Sequence, residues 1–344
     1  MKALVLTEYK HFELQQVPEP TVSANEVLIH VHACGICGSD IHGMDGSSGR
    51  RIPPIIMGHE ASGVITETGA NVHDWKVGDS VTFDSMIFCG NCYYCREGQT
   101  NLCDNRRVLG VSCDDYRRNG AFADYVSVPQ HILVRMPEGL PYEYAAMAEP
   151  VAIAVHATDI TPIKLNDTAV VVGAGMIGLL VVQALRLAGC GKIIAVDLDR
   201  NKLEMARSFG ADFGIQVSKE TDVVAEILGL TGGRGADVCI EAVGNTPAVQ
   251  TAVRCVRKGG NVTIVGNLSP NIELPLQWMV TRELTIRGSC ASAGEFGTSL
   301  ELIASGKINV EPLISRVAPL EEGGEWFSRL YSGEAGLMKV LLKP

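Results

Sequence analysis

The run Gly35-Ile36-Cys37-Gly38-Ser39-Asp40-Ile41-His42 places a thiol, a hydroxyl and an imidazole within six positions, with glycine on either side of the thiol. A thiolate can hold a metal, a hydroxyl can take a proton from an alcohol bound beside it, and a histidine can pass that proton on. Such short clusters also arise by chance, so this one needs partners from elsewhere. Gly58-His59-Glu60 offers them. A lone His59 would read as a buried, hydrogen-bonded histidine. With Glu60 beside it and Cys37 upstream it reads as a ligand, because Cys, His and carboxylate form a mixed donor set that zinc accepts. Glu149, in Ala148-Glu149-Pro150, precedes a helix-compatible run through His156. A carboxylate there suits the helix dipole, and it is equally a candidate for a further zinc ligand.

Cys89-x2-Cys92-x2-Cys95-x7-Cys103 is a second and more specific pattern. Four thiolates at this spacing, in a loop with Gly90 and Gly98, close a tetrahedral shell with no open position, as in structural zinc sites. An iron–sulfur cluster takes the same four donors. A third pattern begins where the apolar run Ala169-Val170-Val171-Val172 meets Gly173-Ala174-Gly175-Met176-Ile177-Gly178. A helical stretch follows to Leu187, then a second strand ending at Asp197, nineteen residues beyond Gly178. In that strand–turn–helix context the glycines let backbone approach a pyrophosphate at a helix N-terminus. Asp197 can accept hydrogen bonds from both adenosine ribose hydroxyls and would repel a 2′-phosphate, which favours NAD over NADP. Arg200 lies close by and acts in the opposite sense.

These groups need a scaffold. Runs at 2–6 and 26–33, separated by Pro18, Pro20 and Ser23, read as strands. Frequent Gly and Pro up to about residue 140 describe an irregular, β-rich first domain, and residues 119–126 a glycine-led turn into a strand. From Asp167 the composition changes to the alternating strands and helices of βαβ units. Further strands are expected at 236–241, 261–266 and 284–288, helices near 247–256 and 295–304, and a returning strand at 338–342.

A length of 344 residues calls for two domains, and 46% apolar with 20% charged residues describe an ordinary globular chain. The net charge of −10 argues against nucleic acid and gives no attraction to an anionic membrane. Residues 168–185 carry no charge, but three glycines and Gln183 interrupt them, so strand–glycine–helix is preferred to a membrane span. Eleven cysteines and an opening apolar run too short for a secretory signal point to a reduced, cytoplasmic setting, where clustered Cys bind metal. Cys34 is read as packing, and Cys113, Cys190, Cys239, Cys255 and Cys290 as small buried hydrophobes. His11, His30, His32, His73, His131 and His156 have no evident partners and no role.

With these motifs in this order, the whole chain resembles the zinc-dependent medium-chain dehydrogenase family, which includes alcohol, sorbitol (iditol), threonine and butanediol dehydrogenases. The resemblance implies an α/β chain: a β-rich GroES-like catalytic domain (1–151 and 290–344) and a Rossmann, doubly wound parallel-sheet domain for NAD (152–289). It implies one catalytic zinc on Cys37 and His59, with Glu60 a ligand in some states, and one structural zinc on Cys89, Cys92, Cys95 and Cys103. Glu149 stands where alcohol dehydrogenases have a second cysteine and polyol dehydrogenases a glutamate, binding directly or through water. Together with Val108-Leu109-Gly110, Ala148-Glu149-Pro150 looks closest to sorbitol or sugar-alcohol dehydrogenases. Sorbitol dehydrogenases, however, carry a polyol-contacting arginine after the last cofactor-domain strand, and here that segment reads Ser289-Cys290-Ala291-Ser292-Ala293.

The implied activity is oxidation of a secondary hydroxyl of a polyol or sugar alcohol, free or phosphorylated, to the ketone. Zinc lowers the hydroxyl's pKa, Ser39 takes the proton, His42 is the outer relay, and the hydride goes to NAD. L-threonine or butanediol oxidation is the alternative within enzymes, and a cofactor-binding relative without catalysis the alternative outside them. Keeping Cys37, Ser39, His42, His59, Glu60 and Glu149 together argues against the last. The resemblance also implies a small-molecule alcohol as partner and a homodimer or homotetramer formed near residues 284–288.

Overall fold

The computed structural model describes residues 1–344. They form two compact units: Met1–Glu149, Phe296–Gly306 and Val310–Pro344 in the first, and Pro150–Glu295 with Lys307–Asn309 in the second.

The first unit is built around the strand Glu26–Gly35, whose apolar residues are buried nearly throughout. In its seven-stranded sheet the order is Leu133–Arg135, Ser80–Phe83, Glu60–Thr68, Glu26–Gly35, Lys339–Lys343 and Ile314–Pro319, with Tyr125–Pro129 also paired to Glu26–Gly35. Glu60–Thr68 runs antiparallel along the whole strand, from Val27 opposite Thr68 to Gly35 opposite Glu60. The other edge is shared. Tyr125–Pro129 pairs with its first half and Lys339–Lys343 with its end, Leu341 lying opposite Gly35. Ile29, Val31, Ile65, Phe83, Phe122 and Phe327 lie in the core against this sheet. Such a fully buried core fixes register, because a one-residue slip would turn the apolar face outward.

The second unit is a six-stranded parallel sheet. Its spatial order is Phe213–Gln216, Lys192–Asp197, Thr168–Val172, Ala236–Glu241, Val256–Ile264 and Thr285–Gly288, that is, third, second, first, fourth, fifth and sixth. Strands buried on both faces read as nearly continuous apolar runs, as Thr168–Val172 does, while the fully buried Ala236–Glu241 carries two acidic residues, Asp237 and Glu241. The order reverses beside Thr168–Val172, the position at which doubly wound sheets bind ligands beyond the strand ends.

The unit edges differ from the expected 1–151 and 290–344. Residues 290–295 group with the second unit, where Glu295 accepts hydrogen bonds from His156 Nδ1 at 2.7 Å and from the Ala293 amide. Residues 307–309 do so too, because Asn309 exchanges two hydrogen bonds with Gln183, at 2.7 and 3.1 Å. The uncharged stretch at 168–185 is strand, glycine turn and the start of the helix Met176–Leu187, and no helix is long and apolar enough to cross a membrane.

Candidate metal centres and cofactor loop

Strand register brings the mixed-donor site together. Glu60 begins one strand and faces Gly35 at the end of its neighbour. A Cβ added at Gly35 would lie 2.3 Å from Glu60 Oε2, so glycine is what lets the carboxylate cross the strand. Cys37 follows as the N-cap of the short helix Gly38–Gly43. His59 is aimed by Gly58 at φ +97°, a conformation that favours glycine. Around it, Cβ atoms at Gly58 and Gly120 would collide with backbone, and Cys34 Sγ packs against the same point. Cys34 is wholly buried, in keeping with a packing role.

Candidate ligand atoms of Cys37, His59 and Glu60 all lie within 4.8 Å of one another. Glu60 is also tied by Lys339, whose Nζ donates to Glu60 Oε2 at 2.6 Å and to the Ile36 carbonyl at 3.1 Å. Lys339 is 3% exposed; burial opposes its charge, but Glu60 and Cys37 outweigh this and raise its pKa. Glu149, in the first turn of Ala148–Asp159, stands outside that triplet. Its carboxyl is nevertheless pushed up to about 8, by burial first and then by the charge of Glu60. Its Oε2 is shut off from solvent and has no hydrogen-bond partner.

A buried polar atom without a partner is costly, and a metal ligand is one way to satisfy it. His59 gives a second sign. Burial disfavours its charged form, yet Asp40 and Cys37 raise its pKa well above the ordinary value. Surroundings that negative favour a cation, and these donors fit zinc. Ser39 and His42, at the two ends of the same helical turn, are both exposed.

In the cysteine loop all four sulfurs of Cys89, Cys92, Cys95 and Cys103 lie within 4.8 Å of one another. The amides of Cys89 and Asn105 each donate to Cys103 Sγ at 3.3 Å. Amides of Asn91 and Cys92 pull the Cys89 thiol down to about 6, while burial and then Cys92 push Cys95 up to about 12. Four crowded thiols cannot all ionise without a cation among them, and a tetrahedral zinc matches the set.

In the second unit, Gly173 has φ +94°, and a Cβ there would meet Val243 Cγ2 at 2.6 Å. A Cβ at Gly178 would lie 1.7 Å from the Gly173 carbonyl. Gly175 is different. It caps Met176–Leu187 without any side-chain cap, and a Cβ there would meet nothing within 4 Å. The space over Gly175, with Met176 and Ile177 opening the helix, is a cradle that fits a pyrophosphate. Asp197 ends the next strand, and its two oxygens accept the amides of Ala174 at 2.6 Å and Asp199 at 2.9 Å. A carboxylate has capacity for further donors. Arg200 is exposed at the start of the following helix.

Asp40, Arg51 and Lys339 also belong to this site, through contacts that no short motif encodes. Lys339 alone left a trace, as a single charge within the apolar run Met338-Lys339-Val340-Leu341-Leu342. Five of the six histidines left without partners have contacts: His156 with Glu295, His30 with His32 edge to face at 5.1 Å, His131 with the Phe88 carbonyl at 3.1 Å and His11 with Glu13 at 3.3 Å. Cys190, Cys239 and Cys255 are buried, whereas Cys113 and Cys290 are half-buried.

The fold and donor sets define a two-domain zinc dehydrogenase. The family described as alcohol dehydrogenase GroES-like domain matches residues 23–138, and that described as zinc-binding dehydrogenase matches residues 177–305. The chain belongs to the zinc-dependent medium-chain dehydrogenases, in their polyol branch, and is an oxidoreductase acting on CH–OH groups. It is 35% identical to the sorbitol dehydrogenase of Bacillus subtilis, covering 100% of this chain and 97% of that one. It is also 35% identical to the D-arabitol-phosphate dehydrogenase of Enterococcus avium, covering 95% and 92%. Among solved structures it resembles a zinc-binding dehydrogenase from Sinorhizobium meliloti bound to NADP, with TM-score 0.92, 34% identity and coverage of 100% and 99%.

Proposed function

We propose that the chain oxidises a secondary hydroxyl of a polyol or sugar alcohol, free or phosphorylated, to the ketone, with NAD preferred over NADP. The observation that carries this reading is Glu149, whose buried Oε2 has no hydrogen-bond partner and whose carboxyl feels the charges of Glu60 and His59. The similarity to sorbitol and D-arabitol-phosphate dehydrogenases supports the substrate class.

Cys37, His59 and Glu149 would hold the catalytic zinc, with Glu60 alternating between it and Lys339. Cys89, Cys92, Cys95 and Cys103 would hold the structural one. When bound, zinc supplies a Lewis acid for the substrate hydroxyl and the nicotinamide supplies the hydride acceptor. The protein's own residues handle the proton and the orientation. Ser39, two positions from Cys37, takes the hydroxyl proton, and His42 delivers it to solvent from its exposed place at the other end of the turn. The Gly173–Gly178 loop holds the pyrophosphate by backbone amides, and Asp197 accepts from the adenosine ribose while excluding a 2′-phosphate.

The test is reduced-nicotinamide formation across a panel of sorbitol, xylitol, galactitol, their phosphates, threonine and butanediol, each with NAD and with NADP. The expected result is turnover on one or more polyols with NAD. A preference of about a hundredfold for NADP, roughly 2.7 kcal/mol, would overturn the cofactor assignment. Turnover confined to threonine would overturn the substrate class.

A further inference from the structure

The short helix and the loop after it contain an ion pair that the reaction scheme does not use. Asp40 is fully buried and Arg51 is 4% exposed. Arg51 donates twice to the same carboxylate oxygen, from Nη2 at 2.9 Å and from Nε at 3.3 Å to Asp40 Oδ1. The other oxygen, Oδ2, accepts the Cys37 amide at 3.4 Å. His59 Nδ1 lies 3.4 Å from Oδ1 but without the geometry of a hydrogen bond. Asp40 is therefore a node between the two ligand residues Cys37 and His59, and its orientation is set by Arg51 rather than by His59.

Arg51 is itself held in place. Its Nη1 donates to the Arg50 carbonyl at 3.0 Å, and its stem crosses Gly43, where a Cβ would lie 2.3 Å from Arg51 Cγ. Ile52 and Ser112 extend the anchor through a backbone hydrogen bond of 3.2 Å.

From this geometry we infer that Arg51 is a positioning residue for the catalytic metal, fixing the Asp40 carboxylate that lies against His59 Nδ1 and accepts the Cys37 amide. The inference rests on the zinc reading of Cys37 and His59. Partners behind a ligating histidine typically change metal affinity by roughly 10- to 100-fold when removed. Arg51 acts one step further back, through a carboxylate with no other strong donor. Without the guanidinium, Asp40 keeps only a long bond from the Cys37 amide and the edge of the His59 ring. An ionised carboxylate cannot stay there uncompensated, so the common anchor of both ligands is lost.

Charge alone predicts the opposite outcome. Removing a cation beside a metal site leaves it more negative and would hold zinc more tightly. The direction of the effect therefore separates positioning from simple electrostatics.

The experiment measures zinc release to a chromogenic chelator from the zinc-loaded full chain, with the four-cysteine zinc as internal control. In Arg51→Met the mixed-donor zinc should leave roughly 10- to 100-fold faster, with the four-cysteine zinc unchanged. Arg51→Lys, which keeps the charge but not the fork, should recover part of the loss. Gly43→Ala displaces the Arg51 stem without removing any charge and should reproduce the selective loss, which keeps the test open if Arg51→Met fails to fold. A cobalt-substituted site should show a shifted visible spectrum in the same variants. Retention equal to or tighter than wild type in Arg51→Met or Gly43→Ala would overturn the inference. A wild-type chain that holds only the four-cysteine zinc would instead overturn the metal reading beneath it.

Discussion

At the scale of single residues, the mixed-donor site depends on side chains that could not sit there unsupported. Cys37, Glu60, Glu149 and Asp40 bring four acidic groups together, and Lys339 and Arg51 bring two buried cations. With all four ionised, two negative charges are left over, which one divalent cation neutralises. Replacing Cys37 or His59 by alanine should therefore remove one metal and leave the other. Metal analysis should give one zinc per chain, with turnover reduced by at least roughly a thousandfold, since the Lewis acid is lost. Wild-type activity in Cys37→Ala would show that the chemistry lies elsewhere. Much of this site was legible from residue types and spacing, because Cys37, His59, Glu60 and the four-cysteine loop lie in short motifs. Arg51 and Lys339 were not. Lys339 meets Glu60 across 279 positions only because Leu341 pairs with Gly35 and Gly35 with Glu60, and no local pattern encodes that register.

At the scale of elements, the glycines of the cofactor loop have different jobs, and a spacing motif cannot tell them apart. Gly178 lets the helix Met176–Leu187 pass against the Gly173 carbonyl, whereas Gly175 faces open space. Gly178→Ala should destabilise the chain by roughly 1–3 kcal/mol, as overpacking commonly does. Gly175→Ala should leave the melting temperature nearly unchanged but weaken NAD binding, because its methyl group enters the space assigned to the pyrophosphate. Thermal unfolding and fluorescence titration with NADH distinguish the two. Equal melting loss in both variants, with NADH binding intact in Gly175→Ala, would contradict the assignment of that space. The strand–glycine–helix order was readable because fully buried parallel strands leave long apolar runs. The edges of the first unit were not, because residues 290–295 and 307–309 are tied by His156–Glu295 and Gln183–Asn309 contacts distant in sequence.

At the scale of the whole molecule, the two units carry complementary chemistry: metal donors in the first and the glycine cradle in the second. The second unit's sheet ends in the strand Thr285–Gly288, and Leu274, Leu276 and Val280, just before it in the chain, are exposed. Unpaired edges with apolar neighbours are sites of strand pairing between copies. We expect a homodimer or homotetramer that assembles there, and a lysine at Leu276 should shift it towards monomer in gel filtration. A wild-type monomer would contradict that assembly. The central claim, that a metal on Cys37, His59 and Glu149 makes this fold a polyol dehydrogenase, is tested most directly by titrating zinc into the metal-free chain while following NADH formation on the best polyol of the panel. No activity is expected while the first equivalent fills the four-cysteine site, then a linear rise to a plateau at two zinc ions per chain. Full activity at one zinc per chain would contradict it.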